Sequence, residues 1–391
     1  MNRKYILSLL LPALLLIQLP LLANNPFPVL QQQRQDFEKT FSESFDVDRS
    51  GSVHLENRYG EIKVETWDRD EVKVDVRIKV SARDKEAADR IFDRIEINFS
   101  GSGNHASAST IIGDRGRKDK SIIKQIIDGD FWNTSKSSSN DFRIYYRVQM
   151  PRSVDLETEA KYCDVELPDL TGDTELKVGY GDLVAGDLGG RNEISVSYGS
   201  ARIGTLGEES TFRIRYSEGS IQGAQDLRYD GRYSETRIGP TKHLNVDAGY
   251  EEIDVESAQE LRIDGSYNEL SIEQVGRLFI DGNYNDFDIE RVDKELEVDA
   301  AYGDLRIDGL TAGFDRVYVR TRYIDVDIDV DSDAGFDMEL RTRYGGVSYP
   351  SNAKNTHSQK DGNSRYVKGT VPGTGKGNIN ISTSYGDINI D

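Results

Sequence analysis

Acidic side chains recur at one position of a repeated sequence pattern, two residues after a recurring tyrosine. All but Ser200 and Gly346 are carboxylates at this position. Clustered carboxylate oxygens are ligands that Ca²⁺ takes in proteins, so a row of them is a candidate cation site. The residues at this position are Glu61, Asp164, Asp182, Ser200, Glu218, Glu235, Glu252, Glu269, Asp286, Asp304, Asp325, Gly346 and Asp387.

Like charges that lie in a row repel one another, so the fold must offset them. The carboxylates can accept backbone N–H groups, alternate with Lys and Arg side chains, or hold divalent cations. A structural role is favoured, because the Gly-Gly-x-Gly-x-Asp repeat of calcium-binding β-helices is absent. Ca²⁺ is the one cofactor considered, and its candidate ligands are Glu252, Glu269, Asp286, Asp304 and Asp325.

A second acidic segment, residues 324–331, alternates β-branched residues with aspartates. Alternation in a strand places the four aspartates on one face. Such charges keep an edge strand or an outward-facing strand soluble and prevent it from pairing with another chain. We favour this interpretation over a second cation site.

The composition gives little support to other kinds of chemistry. The chain carries 49 Lys and Arg against 69 Asp and Glu, a net charge of −20, which argues against a nucleic-acid partner. A single cysteine excludes an intramolecular disulfide framework, and 4 scattered histidines argue against a histidine-rich metal centre. Motifs of serine hydrolases, zinc proteases and nucleotide-binding enzymes are absent. The sequence therefore predicts a protein that is not an enzyme.

The tyrosines that precede the acidic positions are spaced regularly, by 17 or 18 residues over most of their range and by 21 near the end. Such a period is typical of units that pack only against their neighbours. It is too short for a strand–helix–strand crossover. The sequence thus predicts an all-β parallel β-helix, or solenoid, of about 12 coils, in preference to a sandwich of antiparallel hairpins. The tyrosines are Tyr59, Tyr162, Tyr180, Tyr198, Tyr216, Tyr233, Tyr250, Tyr267, Tyr284, Tyr302, Tyr323, Tyr344 and Tyr385.

Apolar residues at fixed distances from each tyrosine indicate which side chains face the core. They lie four residues before it and three and five residues after it, and the residue two before it is often small. The positions before the tyrosine are an even number of residues from it, and those after it an odd number, so in a straight strand they would face opposite sides. Both sets are apolar and should face the core, so the chain must bend just after the tyrosine. Gly60, Gly181 and Asn268 represent the residues expected to supply that bend. The tyrosines are expected to form an inward or half-buried ladder rather than a sugar-binding platform.

The remaining segments differ in composition. The chain starts with a basic pair, an apolar run and a small residue, Ala23, as a secretory signal peptide does. Apolar residues at helical spacing after Ser81 or Asp84 predict one short helix over residues 81–95. The predicted organisation is a signal peptide at 1–23, a linker at 24–45, an N-terminal cap region of strands and helix at 46–150 with a loop insertion at 101–140, and β-solenoid repeats at 151–391 with a loop insertion at 351–378.

The units that begin Tyr180-Gly-Asp-Leu, Tyr302-Gly-Asp-Leu and Tyr385-Gly-Asp-Ile carry a family resemblance. They resemble those of bacterial exported β-solenoid proteins known as putative adhesins, a family of unknown function. The segment from Asn57 to Trp67 is similar to that family as well. The resemblance covers about residues 45–391 and implies a β-helix of the cell envelope or surface. It implies no catalytic residues.

The sequence as a whole predicts a non-catalytic, adhesin-like structural or binding module, exported to the periplasm or to the cell surface. Its expected partner is an envelope or surface ligand, either a glycan or a protein, and not a nucleic acid. The last coil, at residues 385–391, would expose unpaired backbone groups if left open, so we expect that residues 351–376 fold over this end or that the coil self-associates. Two alternatives stay open, which are a carbohydrate-active β-helix enzyme and an accessory protein of an envelope-stress regulatory system.

Overall fold

The computed structural model describes residues 34–113 and 141–391. The predicted signal peptide at 1–23 lies outside these residues. Among the described residues, no helix is long and apolar enough to cross a membrane. The elements in chain order are β1 (Gln35–Phe45), β2 (Ser52–Trp67), β3 (Val72–Ala82), α1 (Lys85–Phe92), β4 (Ile95–Ser102), β5 (His105–Ile112), β6 (Phe142–Pro151), β7 (Asp155–Leu167), β8 (Thr174–Gly179), β9 (Leu183–Ala185), β10 (Asn192–Ser197), β11 (Ser200–Leu206), β12 (Ser210–Arg215), β13 (Glu218–Arg232), β14 (Glu235–Ile238), β15 (Thr241–Gly249), β16 (Glu252–Ser266), β17 (Glu269–Ile289), β18 (Val292–Leu310), β19 (Arg316–Arg322), β20 (Val326–Val330), β21 (Ala334–Arg343), β22 (Val347–Ser348), β23 (Lys354–Asp361), β24 (Ser364–Val371), β25 (Thr374–Ser384) and β26 (Ile388–Ile390).

The described part of the chain is all-β, with 74% of its residues in strands and one short helix. Its architecture is a closed barrel of seven parallel strands with additional strands. The prediction of a β-helix of about 12 coils is therefore wrong. The physical reason is that a sequence period shows which residues recur beside one another, whereas it carries no information about how the strands close around an axis.

Parallel pairing joins each repeat unit to the next at an offset close to the sequence period, as at β16–β17 (17 residues) and β17–β18 (18 residues). Leu261 of β16 pairs with Leu278 of β17, and Ile280 of β17 pairs with Val298 of β18. Equivalent residues of consecutive units therefore lie next to one another, in columns that run across the strands.

The core is built from the apolar positions that the sequence pattern identified. Val246 and Ile263, four residues before their tyrosines, are 3% exposed, and Val255 and Ile272, five residues after them, are 1% exposed. The assignment of both sets to the interior is therefore confirmed, although their parity differs.

The N-terminal region closes one end of the parallel strands. β1 pairs with β3 and β3 with β6, all antiparallel, and β6 pairs in parallel with β2. Residues 35–45 were expected to belong to a linker, and they instead form β1. The backbone N–H of Ala87 donates to the Asp84 carboxylate at 2.7 Å, so Asp84 caps the predicted helix, which spans only Lys85–Phe92. Within the predicted loop at 101–140, residues 105–112 form β5, and 114–140 lie outside the described residues.

The C-terminal strands are inserted between earlier ones. β25 pairs with β19 on one side and with β21 on the other, and β26 lies between β20 and β22. The loop predicted at 351–378 contains an antiparallel hairpin, β23–β24, which pairs with the free side of β21. The last strand at 385–391 is therefore not open, and the premise of self-association through it is wrong.

Candidate functional site

A column of stacked tyrosines runs along one side of the molecule. The ring centroids of neighbours lie from 4.7 Å apart, at Tyr180 and Tyr198, to 5.2 Å apart, at Tyr59 and Tyr162. The predicted ladder is thus confirmed. In spatial order the tyrosine column consists of Tyr59, Tyr162, Tyr180, Tyr198, Tyr216, Tyr233, Tyr250, Tyr267, Tyr284, Tyr302, Tyr323, Tyr385 and Tyr344.

The tyrosine column faces outward with its rings half-buried, so the half-buried ladder is confirmed and the inward one is wrong. Exposure ranges from 38% for Tyr302 to 52% for Tyr250, except for Tyr59 and Tyr162, which are less exposed. The reason lies in the backbone, because every tyrosine of the column has a positive φ, as at Tyr216 (50°) and Tyr267 (65°). One residue in the left-handed region turns the strand and directs the tyrosine outward, while the residues on both sides keep facing the core. Sequence reasoning missed this because bulky residues rarely adopt a positive φ.

Except for Gly303, which has a φ of 141°, the glycines that follow the tyrosines do not supply the bend. Gly60 and Gly386 are needed because the backbone of the neighbouring strand approaches them closely. A Cβ on Gly60 would lie 1.9 Å from the carbonyl oxygen of Ile144, and one on Gly386 would lie 1.9 Å from that of Ile324. Their role is steric.

In the acidic row two residues after each tyrosine, the carboxylate row, every aspartate except Asp304 accepts a backbone N–H group. The Asp182 carboxylate accepts from the N–H of Ser200 at 2.9 Å and from its hydroxyl at 2.7 Å. The Asp325 carboxylate accepts from the N–H of Asp387 at 2.7 Å. The first of the three expected ways to offset the charge is therefore confirmed for the aspartates.

The glutamates of the carboxylate row behave differently. Glu218, Glu235, Glu252 and Glu269 are exposed, and their carboxylates form no ion pair or hydrogen bond with another residue of the described ranges. Uncompensated negative charge is thus concentrated in the middle of the row.

The Ca²⁺ hypothesis stays a prediction. Its candidates fall in the row as expected, with Glu252 beside Glu269 and Asp286 beside Asp304. Asp325, farther along the row, already accepts the N–H of Asp387, the residue that precedes β26. Within residues 34–113 and 141–391, no three acidic, His or Cys side chains come close enough together to hold a metal ion.

The second acidic segment, residues 324–331, contains β20. This strand pairs with β18 and with β26, so its interpretation as an edge strand is wrong. Its aspartates do point outward and are engaged locally. Asp327 accepts from the side-chain amide of Asn389 at 2.6 Å, and Asp331 accepts from the N–H of Ala312 at 3.1 Å.

A buried chain of polar side chains lies directly behind the tyrosine column. Each accepts the backbone N–H of its equivalent in the preceding unit, as Glu251 accepts from Ser234 at 2.9 Å and Asn268 accepts from Glu251 at 3.0 Å. Sequence reasoning missed this chain, because it assigned Asn268 and its equivalents to a bend of the backbone and not to the interior. Its members are Ser217, Ser234, Glu251, Asn268 and Asn285.

Among these five hydrogen-bonded side chains, Glu251 is the only one that can titrate. It is 4% exposed, and the hydroxyl of Tyr229 donates to its second carboxylate oxygen at 2.5 Å. Burial raises its pKa to about 7, although the hydrogen bonds from Tyr229 and Ser234 act in the opposite direction. Both carboxylate oxygens are engaged within the protein, so its role is structural.

A third acidic feature, the aspartate row, lies three residues before the tyrosines on the other side of the column. Sequence reasoning missed it, although its signal is visible in the recurring Asp-small-x-Tyr pattern. Strand pairing places its members next to one another. They are Asp230, Asp247, Asp264, Asp281 and Asp299.

Comparisons with known proteins bear on the family. The family model described as Toastrack DUF4097 matches residues 191–391. This match supports the resemblance to an adhesin-like family of unknown function, whereas the Tyr-Gly-Asp unit as its signature stays a prediction. No curated protein matches the chain.

Three solved structures share low similarity with the chain. One is a putative cell adhesion protein from Clostridium sporogenes (12% identity, 90% of this chain and 99% of that chain, TM-score 0.18). Another is a putative adhesin from Bacteroides fragilis (14% identity, 64% and 97%, TM-score 0.30). The third is a putative lipid binding protein from Parabacteroides distasonis (10% identity, 90% and 96%, TM-score 0.23). TM-scores this low carry no argument about fold or function.

Proposed function

Starting from the fact that this chain belongs to the Toastrack DUF4097 family, we propose that it is a non-catalytic, adhesin-like binding module. Its contact surface is the tyrosine column, together with the carboxylate row beside it. We further propose that the protein works in the bacterial envelope or at the cell surface after export, which the basic and apolar pattern of residues 1–23 supports.

The observation that carries this proposal is the exposure of the tyrosine column. A positive φ costs a bulky residue about 1–2 kcal/mol, and each exposed ring adds little to the core. Stacking returns about 0.5–1.5 kcal/mol per pair, which offsets the backbone cost without requiring tyrosine in particular. Phenylalanine would stack equally well, so the hydroxyl group points to a role in contact with a ligand.

The geometry also limits the mode of contact. The rings of Tyr250 and Tyr267 lie 4.8 Å apart with an interplanar angle of 2°, so their faces cover each other. Ring edges and hydroxyl groups remain for a ligand. Tyrosine combines a large apolar body with a polar tip at low entropic cost, which suits protein interfaces. The proposed contact is therefore through hydroxyls and ring edges, and not through sugars stacked on ring faces.

The proposal is tested with the full chain and purified bacterial envelopes. A triple variant, Tyr250→Phe, Tyr267→Phe and Tyr284→Phe, keeps the stacked rings and removes three neighbouring hydroxyls. We expect its affinity for envelopes in a sedimentation assay to fall at least roughly fivefold. The matched control is Tyr318→Phe, since Tyr318 is partly exposed on β19 outside the column. Equal affinities for the wild type, the triple variant and the control would refute the proposal.

A further inference from the structure

Arginines of this chain show how a cation binds to the aspartate row. Arg215, the residue before Tyr216, donates to both carboxylate oxygens of Asp230 at 2.9 Å and to the Asp230 carbonyl at 2.6 Å. Arg232, the residue before Tyr233, donates to the Asp247 carboxylate at 2.6 Å and to the Asp247 carbonyl at 2.9 Å. In both cases a guanidinium group binds the carboxylate and the carbonyl of the aspartate in the following unit.

The next two positions have the same backbone and the same aspartates, but no arginine. Gly249 and Ser266 follow Arg232 in register, and both are too short to reach a neighbouring unit. Arginines at these two positions would reach Asp264 and Asp281. Both carboxylates are exposed, and neither forms an ion pair or a hydrogen bond with another residue of the described part of the chain.

We propose that Asp264 and Asp281 bind two arginine side chains from a basic segment of a partner protein. Each arginine takes the position that Arg215 and Arg232 take in the preceding units. The inference rests on the proposed function as a binding module, since it names the chemistry of the partner that contacts one side of the tyrosine column.

Charge and space favour this occupant. The exposed carboxylates of Glu252 and Glu269 lie across the tyrosine column from the two aspartates, and the chain carries a net charge of −20. Gly249 and Ser266 carry no long side chain of their own beside Tyr250 and Tyr267, and the flexible side chain of Arg232 lies next to Gly249. Guanidinium is favoured over ammonium, because its planar fork matches a carboxylate and an adjacent carbonyl at the same time.

The site is limited at both ends by aspartates that already pair with arginines of this chain. Arg232 occupies Asp247 on one side, and Arg320 forms an ion pair with Asp299 at 3.1 Å on the other. The site therefore comprises two positions, about 4.8 Å apart as neighbouring strands are.

The test measures binding of a labelled tetra-arginine peptide to the full chain by fluorescence anisotropy. The comparison probes are tetra-citrulline, which has nearly the same shape without the charge, and tetra-lysine. We expect the wild type to bind tetra-arginine more tightly than tetra-lysine and to show no binding of tetra-citrulline. The double variant Asp264→Asn with Asp281→Asn should bind tetra-arginine roughly tenfold more weakly, as expected for the loss of two charge-assisted pairs.

The matched control is the double variant Glu256→Gln with Glu273→Gln. These exposed glutamates lie on the same two strands as Asp264 and Asp281. Their replacement changes the net charge of the protein by the same amount as the replacement of the two aspartates. We expect this control to stay within about twofold of the wild type. Equal weakening by both double variants would show unspecific attraction to an acidic protein and would overturn the inference, as would failure of the wild type to bind tetra-arginine.

A second variant fills the site from within. Gly249→Arg with Ser266→Arg supplies the two missing guanidinium groups, and a Cβ at Gly249 meets only the flexible side chain of Arg232, at 3.2 Å. We expect tetra-arginine binding to fall by the same roughly tenfold factor, with an unchanged circular dichroism spectrum. Undiminished binding by this variant would count against the site. If the tyrosine variants lose envelope binding while the aspartate variants keep tetra-arginine binding, the proposed function stands and this inference fails.

Discussion

Replacement of Glu251 by glutamine should stabilise the protein at alkaline pH. The carboxyl is 4% exposed, and burial raises its pKa from 4.5 to about 7. Glutamine has nearly the same shape, can accept the N–H of Ser234, and can donate to the hydroxyl of Tyr229. The variant therefore keeps the hydrogen bonds and removes the cost of a buried negative charge.

The sign and size of the effect follow from the pKa of Glu251. A folded-state pKa above the unfolded value means that the carboxyl contributes its full stability below pH 4.5 and loses that contribution as the pH rises through about 7. A difference of 7 − 4.5 pKa units, at 1.36 kcal/mol for each unit, amounts to at most about 3 kcal/mol. Above pH 7 the loss is complete and the difference becomes constant.

Urea unfolding of the full chain between pH 4 and 8, followed by circular dichroism, measures this effect. We expect the wild type to lose up to about 3 kcal/mol more than Glu251→Gln over this range. Glu252→Gln is the matched control, because Glu252 is the next residue and is exposed. Its pH profile should run parallel to that of the wild type. Parallel profiles for the wild type and Glu251→Gln would show that the reasoning about the buried charge is wrong.

Three further outcomes are expected. Tyr267→Ala should lower the free energy of unfolding by about 2 kcal/mol, because the ring stacks on two neighbours, whereas Tyr267→Phe should change it by less than about 0.5 kcal/mol; equal losses in chemical denaturation would speak against stacking. Gly60→Ala should cost at least about 2 kcal/mol, because its Cβ would lie 1.9 Å from the carbonyl oxygen of Ile144; an unchanged melting temperature would contradict this. Replacement of residues 354–371 by a short Gly-Ser link removes the hairpin from β21 and should cause self-association in light scattering; a monomer at all concentrations would argue that this strand edge is harmless.

The sequence was sufficient to predict which residues lie beside one another. The regular spacing of Tyr250, Tyr267 and Tyr284 predicted their column, because parallel strands in constant register place like residues together. The same spacing placed Val255 and Ile272 in the core. These features depend on local periodicity alone.

Features that depend on three-dimensional closure could not be predicted. The turn at each tyrosine uses a backbone conformation that is rare for the residue, so the parity argument placed the bend one residue too late. The burial of Glu251 depends on the hydroxyl of Tyr229, 22 residues earlier. Closure of the barrel and insertion of β25 between β19 and β21 are long-range events that no period encodes.

The insertion of β25 and β26 has a consequence for the order of folding. A chain that emerges from the ribosome can add each unit to its predecessor only as far as β20. β21, β23 and β24 can pair with one another, but the other side of β21 has no neighbour until β25, synthesised later, fills the gap between β19 and β21. The bond from the Asp387 N–H to Asp325, across 62 residues, closes the corresponding gap beside β20. Nascent chains that stop before β25 therefore leave β21 to β24 detached from the preceding strands, and quality control by proteolysis would act on that unfinished end.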